Sequence, residues 1–247
     1  MCRHVAYLGP PVTLSALLYD PPHSLARQSW APRDMRGGGT INADGFGIGW
    51  YEPGRPEPVR YRQAHPIWSD ATLPALAEAT SSGAILAAVR SATVGMPVVA
   101  TAAAPFTDGP WLFSLNGVVR DWPDSLVPLV RDLPTRDLLT LDAPTDAAVL
   151  WALVRHRLRD GAVPAEAVGT TVRQVATAAP GSRLNLLLTD GHTTVASTAG
   201  HALSVRRRGD SVWLASEPLD DDPGWQPVPD GRLVVATAGD LVSCPIG

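Results

Sequence analysis

The hydrophobic period of the chain switches near residue 180, and that switch limits what it can fold into. Before it, Val149, Leu150, Leu153, Val154 and Leu158 recur at helical spacing between Thr145 and Gly161. Thr145 or Asp146 can cap this helix, because a short polar side chain satisfies amide N–H groups that a helix start leaves unpaired; Gly161 stops it. A second helix is expected over 164–178, ending near Pro180-Gly181. After the switch the period is two. Segments 184–189, 193–197, 202–206, 211–215 and 233–237 predict strands separated by Asp-Gly, Ala-Gly, Arg-Gly-Asp and Asp-Gly turns, a pattern that reads as an antiparallel meander.

Upstream, 3–9 reads as a strand and 14–19 as a helical turn ended by Asp20-Pro21-Pro22. The breaker-rich run from Ser29 to Ala43, with Gly37, Gly38 and Gly39, has the length and composition of a binding loop. Gly45-Phe-Gly-Ile-Gly-Trp-Tyr51 alternates glycine with large apolar residues, as a strand does where another backbone or a ligand lies close to one face, and 58–62 can return beside it. A helix is expected over 70–82, a buried strand over 84–89, and a further strand over 111–119 interrupted by an Asn116-Gly117 turn signal. Strands, two adjacent helices and more strands predict an α+β domain with helices layered on sheets. No repeat, heptad run or linker divides it, so 1–247 reads as one domain.

A chain of 247 residues buries a substantial core without disulfides or metals. Its formal charge of −4 lacks the basic excess that neutralises a phosphate backbone, which argues against nucleic acid and toward a small-molecule partner. The N-terminal residues are too short and polar for a signal peptide, and no stretch has the apolar length of a membrane span, so a cytoplasmic location without a membrane partner is expected. The two cysteines, Cys2 and Cys244, then read as free thiols. The six histidines show no paired ligand spacing, so neither metal nor cofactor is expected. Gly45, Gly47 and Gly49 do not make a phosphate site, because no helix opens after them.

Cys2 is the most informative single position. Removal of Met1 would leave a free α-amino group beside its thiol. An isolated thiol titrates at about 8.5 and an α-amine at about 7.7 to 8.0, so the amine can accept the thiol proton, directly or through a water, as attack begins. On position alone, Cys2 reads more readily as the residue that happens to follow the initiator.

Five ordered segments carry more. Met1-Cys2-Arg3-His4, 42–51 (Asn-Ala-Asp-Gly-Phe-Gly-Ile-Gly-Trp-Tyr), 88–95 (Ala-Val-Arg-Ser-Ala-Thr-Val-Gly), 105–109 (Pro-Phe-Thr-Asp-Gly) and Asn116-Gly117-Val118 together resemble the glutaminase domain of class II glutamine amidotransferases, which are N-terminal nucleophile hydrolases. Pro21-Pro22, Gln28-Ser29, Ala31-Pro32-Arg33 and Ser216-Glu217-Pro218 bring the chain nearer to stand-alone γ-glutamyl hydrolases of ergothioneine biosynthesis. The resemblance implies a four-layer α/β/β/α sandwich and a mature chain beginning at Cys2. It also implies that Cys2 attacks a γ-glutamyl amide of a hercynylcysteine S-oxide, with the Asn116 amide and the Gly117 N–H as oxyanion hole. Such donors act where charge appears only in the transition state, and losing one costs about 3 kcal/mol or more.

By the same resemblance Arg90 binds the α-carboxylate of the glutamyl group, which suits its planar fork, Asp146 receives the α-ammonium, and Thr93 is a lesser contact. Taken alone, Arg90 is a strand-end charge, Asp146 a helix cap and Asn-Gly a hairpin turn. Glu217, Asp221 and Trp225, with Trp30 in the other loop, are candidates to meet the trimethylammonium of the leaving group through charge and cation–π attraction, or are solvated loop residues. Two departures from the family pattern stand out: Leu115 replaces a common His, and Ala147-Ala148 replaces a polar continuation that would support Asp146. Alternative functions are a glutaminase passing ammonia to a separate synthase and a γ-glutamyl-binding protein that has lost catalysis. A homo-oligomer remains open.

Overall fold

A computed structural model describes residues 2–34, 36 and 41–247; Gly37, Gly38 and Gly39 of the expected binding loop lie outside them. In chain order the strands are β1 (Arg3–Thr13), β2 (Phe46–Trp50), β3 (Val59–Gln63), β4 (Ser81–Val89), β5 (Phe106–Asp108), β6 (Trp111–Val118), β7 (Arg183–Thr189), β8 (Thr194–Thr198), β9 (Ser204–Arg208), β10 (Ser211–Ala215), β11 (Gln226–Pro227), β12 (Arg232–Ala236) and β13 (Leu241–Pro245). The helices are α1 (Ser15–Leu18), α2 (Leu25–Gln28), α3 (Leu73–Ala79), α4 (Val127–Val130), α5 (Thr135–Leu139), α6 (Asp146–Arg159) and α7 (Pro164–Ala178). One sheet has the order β11-β9-β10-β1-β4-β2-β3 and the other β13-β12-β8-β7-β6-β5.

Three apolar clusters define four layers. Val5, Phe46, Ile85 and Val89 of the first sheet pack under Leu17, Leu18, Leu25 and Leu73 of the short helices. Ala6, Leu86, Leu112, Leu187 and Leu214 fill the space between the sheets. Phe113, Leu186, Leu188 and Val195 of the second sheet face Leu150, Trp151, Val154, Val168 and Val172 of α6 and α7. Trp151 stacks on Phe113 with ring centroids 5.4 Å apart, a contact whose removal by Trp151→Ala costs about 3 to 5 kcal/mol. The α/β/β/α sandwich is the expected architecture.

Local chemistry explains the helical layer. The Thr145 Oγ1 accepts from Ala148 N at 3.2 Å and caps α6, Gly161 takes a φ of 89° just beyond its end, and Pro164 opens α7, where its missing N–H costs nothing. Close approach explains the glycines of β2. A Cβ on Gly47 would meet the Ala104 carbonyl oxygen at 2.3 Å and one on Gly49 would meet Leu112 Cδ1 at 2.5 Å, so it is protein, from the second sheet's side, that lies against this face.

Three expectations are corrected. The strands after residue 180 do not form a meander: β7, β8, β12 and β13 belong to the second sheet, whereas β9, β10 and β11 belong to the first. Their turns are short, but period two does not say which sheet a strand joins. Asn116-Gly117 is not a turn either; β6 continues through it, with Asn116 opposite Asn185 and Gly117 opposite Leu184. The expected 70–82 helix is confined to Leu73–Ala79, because the chain from Ser81 is already paired with β1.

Candidate active site

The end of β4, the start of β1, the end of β6 and the N-terminus of α6 converge on one pocket, which Cys2, Arg90, Thr93, Gly117 and Asp146 all line. Its wall is otherwise mostly apolar, including Ala88, Met96, Phe106 and Leu115. Of the expected glutamyl-site residues, Asn116 alone stays off this wall among the described residues. Strand alternation sends its side chain to the opposite face from Leu115 and Gly117. There Nδ2 donates to Ser216 Oγ at 3.0 Å, while Oδ1, buried, has no partner among the described residues. Gly117 is required by space, since a Cβ would fall 1.8 Å from the Arg183 carbonyl oxygen.

Arg90 is held by main chain. Its N–H donates to Gly45 O at 2.7 Å, and its Nη1 donates to Pro97 O at 2.9 Å and Asp44 O at 3.5 Å. Asp44 secures the same corner, its Oδ2 accepting from Ala92 N at 2.8 Å. Asp146 is buried, with Oδ2 accepting from Val119 N at 2.9 Å and Oδ1 from Ala147 N at 2.8 Å. The support that Ala147-Ala148 cannot give through side chains therefore comes from amide N–H groups. Burial pushes the Asp146 carboxyl above the ordinary carboxylate range, against the opposing pull of these N–H groups and of Arg90. Among the described residues neither Arg90 nor Asp146 has an ion-pair partner within 4.0 Å. Both charges remain unneutralised at contact distance and face the same space.

The expected leaving-group residues lie off the pocket wall. Glu217 is not part of a solvated loop: it stands two residues past the end of β10 and is buried. Its Oε1 accepts from Arg3 Nε at 2.7 Å, and its Oε2 meets His23 Nε2 and Arg33 N, each at 2.7 Å. Its carboxyl is held down at about 2; burial opposes that shift, and the His23, Arg33 and Arg3 contacts overcome it. Asp221 is exposed and pairs with Arg33 Nη1 at 2.7 Å. Trp225 Nε1 donates to Asp220 Oδ1 at 2.8 Å, and the Arg206 guanidinium lies 4.8 Å from its ring. Trp30 is 45% exposed beneath the Arg27 guanidinium, 3.8 Å from its ring.

Sequence reasoning assigned no role to Arg3 or Ser216, although both stood in quoted motifs. A buried arginine at position 3 has no local signal, because its counter-ion lies 214 residues away. His4, buried between the sheets, is depressed to about 3 by burial and then by His201 and Arg3, so it is neutral at ordinary pH; its Nδ1 lies 3.2 Å from Ser114 Oγ. Cys2 and Cys244 are both free thiols, and no helix among the described residues is long and apolar enough to cross a membrane.

A solved structure of a glutamine aminotransferase class-II domain protein from Silicibacter pomeroyi superposes with a TM-score of 0.72, covering all of both chains at 23% identity. No protein-family model matches. The fold is that of the class II glutamine amidotransferases. Among curated proteins, the gamma-glutamyl-hercynylcysteine sulfoxide hydrolase of Mycolicibacterium smegmatis is 42% identical over 100% of both chains. That of Mycobacterium tuberculosis is 44% identical over 96% of this chain and 93% of its own. The chain belongs to the gamma-glutamyl-hercynylcysteine sulfoxide hydrolase family.

Proposed function

We propose that the chain hydrolyses the γ-glutamyl amide of γ-glutamyl-hercynylcysteine S-oxide, releasing glutamate and hercynylcysteine S-oxide, in ergothioneine biosynthesis. The observation that carries this reading is the placement of a thiol, a buried cation and a buried anion around one pocket, with neither charge neutralised at contact distance by a side chain of the described residues. A free α-amino acid head group supplies the complementary pair: its carboxylate meets Arg90 and its ammonium meets Asp146, with Thr93 at the rim. The γ-carbonyl is thereby presented to Cys2.

With Met1 removed, the Cys2 amine accepts the thiol proton as sulfur attacks the γ-carbonyl carbon. The Gly117 N–H donates to the developing oxyanion; the Asn116 amide, given to Ser216 on the opposite face of β6, must turn toward the pocket to join it. Protonation of the departing nitrogen by the same amine breaks the C–N bond and leaves a γ-glutamyl thioester, which water hydrolyses. Trp30, Asp221 and Trp225 are the remaining candidates for the trimethylammonium end. Residues 1–247 act as one domain, in a reducing cytoplasm that keeps Cys2 a thiol.

Glutamate release from the sulfoxide substrate beside free glutamine tests the reading; preference for glutamine would sink it. That result would favour a glutaminase serving a separate synthase, which the site also suits because Arg90 and Asp146 read only the glutamyl half. Intact mass is a second test, since a functional protein retaining Met1 excludes an N-terminal nucleophile.

A further inference from the structure

The first sheet begins one residue too late to hold its nucleophile. The β1 ladder opens with Arg3 opposite Val89, so Cys2 lies outside it, and a terminal residue frays unless something ties it down. Cys2 Sγ approaches Ser91 O only at 3.9 Å. Its main chain is held by the next side chain, Arg3 Nη1 donating to Cys2 O at 2.9 Å.

Arg3 is itself fixed on every edge of its guanidinium. Nε donates to Glu217 Oε1 at 2.7 Å, Nη2 to Asp34 O, and the side chain is 2% exposed. Glu217 in turn grips His23 Nε2 and the Arg33 N–H with its other oxygen. The preceding residue completes the arrangement: Ser216 Oγ accepts from His4 N and from Asn116 Nδ2, each at 3.0 Å. Two adjacent residues thus hold the main chain of Cys2, through Arg3, and the amide of Asn116, directly. A planar fork is needed to span these acceptors in fixed directions, which a lysine ammonium does not do.

We propose that Glu217, acting through Arg3, is a positioning residue that sets the main chain of Cys2, and with it the thiol and α-amine, for attack. This rests on Cys2 being the nucleophile. The role differs from a leaving-group contact, because it acts on turnover of every γ-glutamyl amide and not on recognition of one.

The test compares Glu217→Gln and Arg3→Lys with the unaltered protein for kcat, KM, thermal melting and the pH profile of Cys2 alkylation by iodoacetamide. In folded variants kcat should fall about 10- to 100-fold on both the sulfoxide substrate and glutamine, the scale of misplacing a reacting group by about 1 Å. KM should stay within about threefold, since head-group binding is untouched. The alkylation profile should shift, and Arg3→Lys should not restore activity. An unchanged kcat and alkylation profile in folded protein overturns the proposal, as does a loss confined to KM for the sulfoxide substrate. Should Glu217→Gln not fold, His23→Ala, which removes one partner of the same carboxylate, must show the same split. Cys2→Ala keeps the two readings apart: surviving turnover there rejects the nucleophile itself, whereas full loss there with unchanged kcat in Glu217→Gln rejects only the positioning role.

Discussion

Two clusters of buried charge lie close to Cys2, both held by main chain, and one of them is also closed by its own counter-ion. Arg90 and Asp146 are secured by neutral main-chain groups, carbonyls for the cation and N–H groups for the anion. Arg3 and Glu217 secure each other, with His23 as a further partner. Main-chain support orients a charge without neutralising it, and the charge stays available to a ligand. A counter-ion orients by neutralising, and the pair becomes a strut. The difference separates a binding site from its scaffold where residue type alone does not, since each cluster is an arginine with a carboxylate.

The largest test of this contrast is Cys2→Ala, which should abolish glutamate release while leaving binding of a γ-glutamyl ligand, measured by calorimetry, largely intact. Next, Arg90→Ala and Asp146→Asn should each cost about 3 kcal/mol, roughly 100-fold in kcat/KM, because each leaves a substrate charge facing an unpaired partner. Steady-state kinetics with the α-carboxylate or α-amine of the substrate capped should show which charge each residue reads. Equal losses on capped and free substrates would break the assignment.

A pH series sharpens the contrast further. Asp146 is raised, so on acidification it is protonated earlier than an ordinary carboxylate, and KM should climb at a pH above the usual aspartate range. Glu217 is depressed from 4.5 to about 2; the stability it contributes is complete above its ordinary value and is lost as pH falls toward about 2. Acid titration of Glu217→Gln by circular dichroism should lose that component. The smallest expected effect belongs to the two loop tryptophans: Trp225→Ala and Trp30→Ala should raise KM for the sulfoxide substrate by about 2- to 5-fold, as cation–π contacts of about 0.5 to 1 kcal/mol imply, without altering glutamine kinetics.

Legibility in the sequence followed the range of the interactions involved. The α7 bounds 164–178 could be read because Pro164 and the terminal breakers act locally, and α6 because Thr145 caps three residues ahead. The Cys2, Arg90 and Asp146 constellation was legible through ordered motifs, not through spacing. The partition of β8 and β9 between sheets was hidden, since both carry the same alternation and differ only in what they pair with hundreds of atoms away. Glu217 was misplaced for a related reason: its sequence neighbours Asp220, Asp221 and Asp222 suggest a solvated loop, while its partners come from residues 3, 23 and 33.

The manner in which Asp146 is supported bears on how such proteins can diverge. Because amide N–H groups at 119 and 147 hold the carboxylate, its hydrogen bonds need no side chain at positions 147 and 148. A search pattern that demands polar residues there would discard this chain, whereas one written on the backbone of a helix start would retain it.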